Sequence, residues 1–420
     1  MSLQGPIIVV TENPAAELTG ALSAAGAFPV VESKWADAPT AFVAVKPAAV
    51  VIAEPGQSRN DSAVRMLGLQ IATANGAMVP VIERVNDARE AAIPIALVID
   101  AALPDARLVA RLQWAMRVRA VHATVLRRIE LYASRDGMLP PMPAGDALDD
   151  ATVLVAGRGP LYPALSVAIG ERVSMLGGLS VEIAARHLSR RDIDGIVVGD
   201  GFSPRMVEAF LTLLAQDNRY RAIPVAVIAE APADLADALT NIIQVDGEPA
   251  RLLARMIPLV RLHAFQARLK RMLKTLETEG LFDPQTGLMT RESFIRDLTR
   301  AIVEAGDRSQ PLSVTRLTFD GPLDERASLD CARQVTRLVR NIDFAMREDD
   351  GAILVAFTQT DLRSAHVAVR RIAGALKAVL APRYPRREVA ANITPATLKA
   401  GDTLDSLIRR IDDSQTVAAE

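Results

Sequence analysis

The feature that most constrains the fold is a rhythm that runs twice through the first 262 residues. Short, continuous apolar runs alternate with stretches of helical character. In the first pass the runs are Pro6 to Val10, Pro29 to Glu32, Ala48 to Ala53, Met78 to Ile82 and Pro94 to Ile99. Helical stretches such as Ala15 to Ala25 and Asp61 to Ala74 fall between them. A strand with one wet face alternates apolar and polar residues, whereas a run that is apolar throughout is covered on both faces. Helices between such runs supply the cover, so the pattern predicts a parallel sheet. The second pass predicts strands at Thr152 to Ala156, Ser180 to Ile183, Gly195 to Val198, Pro224 to Ala229 and Asn241 to Val245.

Each pass closes with a long helix, one from about Asp105 to Tyr132 and one from Glu248 towards Glu279. Both exceed what one sheet can cover, so a partner helix is expected, within the chain or in a homodimer. The domain plan is therefore 1–135, a Pro- and Gly-rich linker at 136–150, 151–262, a connecting helix at 263–280, and a last domain at 281–420. That last domain reads as βαββαβ, with strands near Leu312 to Phe319, Phe344 to Arg347, Ala352 to Phe357 and Glu388 to Ile393. Its helices are expected near Arg291 to Ala305, Asp324 to Asn341, Leu362 to Leu380 and Thr403 to Ile411. The fold class expected for the whole is α/β.

Composition narrows the functions. A net charge of −2 and a pI near 6.2 give no basic field for nucleic acid. Four histidines and a single cysteine, Cys331, exclude an internal disulfide and argue against an imidazole or thiolate metal cluster. No apolar run reaches the roughly 18 residues of a membrane span. Met1 to Val10 moves straight into a strand, so no signal peptide and a cytoplasmic location are expected.

Five βα units in about 100 residues resemble a receiver domain of two-component signalling, which implies a flavodoxin-like strand order. A working receiver uses an acidic pair after the first strand, a phosphoacceptor aspartate after the third and a lysine after the fifth. In the first pass those places hold Thr11 and Glu12, Ala53 or Glu54, and Asp100. In the second they hold Ala156 and Gly157, Asp200, and Asp246 with Gly247. Only Asp200 is a possible phosphoacceptor, and without metal partners it reads more simply as a turn residue at a strand end.

The last domain carries Asp283-Pro284-Gln285-Thr286-Gly287-Leu288-Met289-Thr290-Arg291, and on its central hairpin Arg347-Glu348-Asp349-Asp350-Gly351-Ala352-Ile353. Together these resemble the GGDEF (diguanylate cyclase) family, whose opener is D-x-L-T-G-L-x-N-R and whose hairpin reads R-x-G-G-[DE]-E-F. The resemblance implies metal ligands at the end of the first strand and on the hairpin, where this chain has Thr318 and Gly351. The family's two glycines are Asp349 and Asp350 here, which repel a triphosphate. Asp320, Asp349 and Asp350 could form a different metal site, although a solvated acidic turn is the simpler reading. No catalytic residue, metal or cofactor is expected.

The family's inhibitory site, R-x-x-D at a fixed distance before the hairpin, falls on Arg340 and Asp343. A guanidinium fork donates to guanine O6 and N7, and a carboxylate accepts from N1–H and the 2-amino group. The resemblance adds a further arginine from the next helix, Arg371 or its neighbour Arg370, and names cyclic di-GMP as ligand. The plainer alternative is a surface ion pair at a helix end. The receiver–receiver–GGDEF layout resembles PopA-type effectors, which share it with PleD-type cyclases. That implies a non-enzymatic effector in bacterial cell-cycle or polar organisation that docks protein partners. A ligand-free dimerisation scaffold, or residual cyclase activity, are the other readings.

Overall fold

The computed structural model describes residue 3 and residues 5–54, 61–136, 145–228, 235, 238–277, 280–384 and 389–419. Most of the expected linker (137–144), and the strand and helix ends expected at Ala229, Glu279 and Glu388, lie outside the described residues. The chain divides into two compact units, one of Met1–Arg119 with Pro143–Lys270, the other of Ala120–Met142 with Arg271–Glu420. Among the described residues no helix is long and apolar enough to cross a membrane.

The first unit holds two parallel sheets. In one, β1 (Ile7–Val10), β2 (Val30–Ser33), β3 (Ala49–Ile52), β4 (Val81–Val85) and β5 (Leu97–Asp100) lie in the order β2-β1-β3-β4-β5. This is the flavodoxin-like order. The wholly apolar β1 and β3 are buried along their length, with α1 (Ala16–Ala24), α2 (Ala38–Val45) and α3 (Asp61–Ala72) between strands. Two expectations fail here. β4 begins at Val81 rather than Met78 and runs through Glu83, a residue at which an apolar reading stops. The Glu83 carboxylate is fully buried but accepts from the backbone N–H of Ala92 at 2.8 Å, which offsets its desolvation. Between β4 and β5 there is no α-helix, only a 3₁₀ turn at Ala88–Glu90 capped by Asp87.

The second sheet contains β6 (Thr152–Ala156), β7 (Ser174–Gly178), β8 (Gly195–Val198), β9 (Val225–Val227) and β10 (Ile242–Gln244), in the order β10-β9-β8-β6-β7. All its pairs are parallel, so the plan of the first sheet repeats. Its helices include α5 (Tyr162–Gly170), α6 (Val181–Arg190) and α7 (Pro204–Gln216). The strand expected at Ser180 to Ile183 is instead the start of α6. The Ser180 hydroxyl accepts from the Ile183 N–H at 3.3 Å, an N-cap, and Ala184 and Leu188 turn one face inward. The strand is the preceding Ser174–Gly178, whose Gly177 leaves room for the Tyr162 hydroxyl. A Cβ there would lie 2.3 Å from it. The long helices α4 (Asp105–Asp136) and α8 (Pro249–Glu277) meet within this unit, where Trp114 donates to Gln266 at 3.4 Å.

The second unit is built on β11 (Leu312–Phe319), β12 (Phe344–Arg347), β13 (Ile353–Thr358) and β14 (Ala391–Thr397), ordered β12-β13-β11-β14 with every pair antiparallel. The βαββαβ order expected from sequence is the split β-α-β arrangement. Helices α10 (Glu325–Leu338) and α11 (Leu362–Leu380) cover one face through Cys331, Val335, Ile372 and Leu376. Helices α9 (Arg291–Asp307) and α12 (Leu404–Ala419) cover the other through Phe294, Leu298 and Leu407. β14 starts at Ala391, later than expected, and α12 runs past Ile411. α10 stops at Leu338 because Val339 is extended (ψ 139°), so Arg340 and Asn341 lie beyond the helix that was expected to hold them. The second half of α4, from Ala120, belongs to this unit.

Candidate functional site

The hairpin β12–β13 turns through Glu348-Asp349-Asp350-Gly351. Gly351 donates to the Glu348 carbonyl at 3.0 Å and adopts φ +85°, a conformation that glycine takes without strain. The turn's charge is answered from within. Arg316 on β11 donates to Glu348 at 2.6 Å, to Asp350 at 2.9 Å and to Asp412 at 3.3 Å. Burial raises the Glu348 carboxyl above its usual range, with Arg316 opposing that rise. Asp349 points to solvent, 3.8 Å from Arg291, and Asp320 accepts from Asn392 at 2.6 Å. Asp320, Asp349 and Asp350 are not gathered, and among the described residues no three carboxylate, imidazole or thiol side chains could hold a metal ion.

A cavity of about 590 Å³ opens in the same unit, away from that turn, with Arg340 and Asp343 both in its wall. The two residues are the ends of a tight turn, since the Asp343 N–H donates to the Arg340 carbonyl at 3.0 Å. Their environments differ sharply. Arg340 is exposed, whereas Asp343 is 3% exposed. Its Oδ1 accepts from the Thr358 N–H at 3.0 Å and, weakly, from the Thr358 hydroxyl at 3.5 Å. Burial pushes the carboxyl up to about 7, held from rising further by Arg340, the Thr358 donors and Arg127. The alternative of a surface ion pair does not describe this geometry, because one partner is buried.

The opener contributes Asp283, Pro284, Gly287 and Leu288 to the wall. Asp283 accepts from the Gln285 N–H at 2.9 Å and the Thr286 hydroxyl at 2.8 Å, which folds the loop on itself. Two arginines from α4 were not anticipated from sequence. Arg127 is paired with Asp297 and, at 3.2 Å, with Glu304, its guanidinium 5.8 Å from the Phe344 ring centre. Arg128 also lines the cavity. It lies 5.3 Å from the Phe282 ring centre and donates to the Asn341 carbonyl at 3.4 Å. The signal was available, because Ala120 to Leu131 carries apolar residues on more than one face, as a buried helix does. Arg370 and Arg371 are exposed on α11 and line no part of this cavity.

At the receiver-like positions the loops are closed. Glu54 accepts from the Thr11 hydroxyl, the Asn13 N–H and the Asn13 side-chain amide, each at 3.0 Å. Asp200 accepts from the Leu161 N–H at 3.3 Å. The loop after β6 packs so tightly on Asp200 that a Cβ at Gly159 would lie 2.2 Å from its carboxyl carbon.

No protein-family model matches this chain, and no curated protein matches it. Solved structures do. The coiled-coil and GGDEF domain of DgcB from Caulobacter crescentus, in complex with c-di-GMP, is 17% identical over 36% of this chain and 87% of that one, with a TM-score of 0.30. Diguanylate cyclase SiaD from Pseudomonas aeruginosa, in complex with its activator SiaC, is 19% identical over 36% of this chain and 65% of that one, at 0.30. The FimX GGDEF domain from Pseudomonas aeruginosa is 18% identical over 33% and 94%, at 0.26.

Proposed function

We propose that this chain is a non-enzymatic effector that binds cyclic di-GMP at Arg340 and Asp343 in a degenerate GGDEF-type domain. The observation that carries the reading is the cavity itself. It joins an exposed guanidinium to a buried carboxylate whose Oδ1 is held by Thr358, which leaves Oδ2 to meet a guanine edge. Synthesis of the dinucleotide needs carboxylate-held metal at the hairpin. The hairpin's own Glu348 and Asp350 are tied to Arg316, and Thr318 and Gly351 stand where the resemblance calls for ligands.

In the same reading the two receiver-like regions are degenerate. Glu54 bonds the loop that would otherwise hold metal, and the Gly159 backbone crowds Asp200. Ligand then acts by favouring one arrangement of the protein over another, to the extent of its differential affinity. The resemblance to PopA-type effectors extends the proposal to partner docking in bacterial cell-cycle or polar organisation, in a homodimer. Calorimetry of the full chain with cyclic di-GMP tests the core claim. Micromolar binding by wild type that Arg340→Ala abolishes supports it, whereas equal binding by both, or none by wild type, overturns it.

A further inference from the structure

A cyclic dinucleotide brings two phosphodiester charges as well as two bases, so one guanidinium and one carboxylate do not complete its site. The resemblance put the missing cation on Arg371 or its neighbour Arg370, but both are on α11 and outside the cavity. Among the cavity's lining residues, the arginine besides Arg340 is Arg128. It reaches the site from Ala120–Met142, a stretch of the first long helix that belongs to the same compact unit as the cavity.

We propose that Arg128 is a ligand-contacting and positioning residue of this site, supplying the second cation for the dinucleotide's phosphates. The inference rests on the cyclic di-GMP reading above. Three observations support it. Arg128 is 2% exposed, yet it forms part of the cavity wall, so its charge is screened little by solvent. Its guanidinium lies against the Phe282 ring, a contact that fixes the plane of the fork and gives one face on which a base can continue the stack. It donates to the carbonyl of Asn341, inside the turn whose ends are Arg340 and Asp343, so it also sets where those two side chains start. Ligand bound there therefore touches α4 as well as the sheet domain.

Calorimetry of cyclic di-GMP binding to the full chain tests this, at low and at raised salt, with Arg128→Gln, Arg128→Lys, Arg340→Ala and Arg371→Ala. Loss of a charge-assisted contact predicts binding weaker by about tenfold to a hundredfold for Arg128→Gln. A merely structural role lowers affinity without changing its salt dependence, whereas a lost phosphate contact flattens that dependence. Arg128→Lys should restore the salt dependence with part of the affinity, and Arg371→Ala should bind as wild type. If Arg128→Gln binds like wild type while Arg340→Ala does not, the role of Arg128 is refuted and the site survives. If wild type itself is silent, both fall. Should Arg128→Gln fail to fold, hydrogen exchange over 120–133 in the wild type decides. Ligand-induced slowing supports the contact, and unchanged exchange overturns it.

Discussion

Asp343→Asn separates what a side chain contributes to stability from what it contributes to recognition. The Asp343 carboxyl titrates near 7 in the folded protein against an ordinary 3.8, chiefly because it is buried. A folded value raised above the unfolded one means that folding retains a proton the unfolded chain gives up. The associated stability is complete below about pH 4 and is lost as the pH rises through about 7. From 3.8 to about 7 is roughly three pH units, and at about 1.36 kcal/mol for each the loss by pH 9 is on the order of 4 kcal/mol. Asparagine keeps the shape and can still accept from the Thr358 N–H, but it never ionises. Urea denaturation from pH 5 to 9, read by hydrogen exchange in peptides covering β12 and β13, measures the difference between variant and wild type. Terms common to both cancel. Between pH 5 and 9, where about two of those pH units fall, Asp343→Asn should gain on wild type by about 3 kcal/mol, while losing cyclic di-GMP, because an amide N–H meets the donor edge of guanine. A difference that stays flat with pH would mean that Asp343 is hydrated in solution, and the reasoning from its burial would fail.

Other outcomes follow from the same contacts. Arg316→Met strands the half-buried Glu348 and should cost about 1–2 kcal/mol in chemical denaturation. Asp350 and Asp412 add little because both are more than half exposed. Ser180→Ala removes the N-cap of α6 and should cost about 1 kcal/mol, with Ser180→Asp recovering most of it in thermal melts. Gly159→Ala forces a methyl group into the Asp200 carboxyl and should cost about 3 kcal/mol. In the double variant with Asp200→Ala the cost should be less than the sum of the two. Additive costs would mean that the β6 loop moves aside.

How much of this was legible in the residues varies by element. β6, β8, β11 and β12 match their expected limits because each is an apolar or β-branched run whose flanks cannot continue it. Val181-Glu182-Ile183 alternates like a strand, yet a helix start alternates over the same three residues, and the Ser180 cap decides between them. The two glycines of β7 suit a turn, and it is the packing of Tyr162 against Gly177 and of Ala184 against Gly178 that explains them in a strand. The R-x-x-D spacing picked out two residues that share a cavity wall but not their setting, since Asp343 is buried by β13, a contact that its own neighbours in sequence do not announce. Arg371 sits at the spacing the resemblance calls for, but spacing along a helix says nothing about which cavity that helix faces. Arg128 lay in a different part of the chain altogether, and only tertiary packing brings it to Arg340.

The contrast within this unit favours the proposed ligand site over an inert scaffold. Binding energy comes from groups that gain partners on association, since bonds already made inside the protein are merely exchanged. At the hairpin, Arg316 faces Glu348, Asp350 and Asp412, so its charge is answered before any ligand arrives. In the cavity, Arg340 is exposed without an ion pair among the described residues, and Asp343 is held where ionisation is costly. A scaffold would gain stability by putting a neutral side chain at 343 and would lose nothing by it. A guanine site needs the carboxylate, because neither asparagine nor a protonated acid accepts from both N1–H and the 2-amino group. On the proposed reading the carboxyl is ionised against the ligand, which predicts cyclic di-GMP affinity that climbs as the pH rises towards 7 and levels off above it.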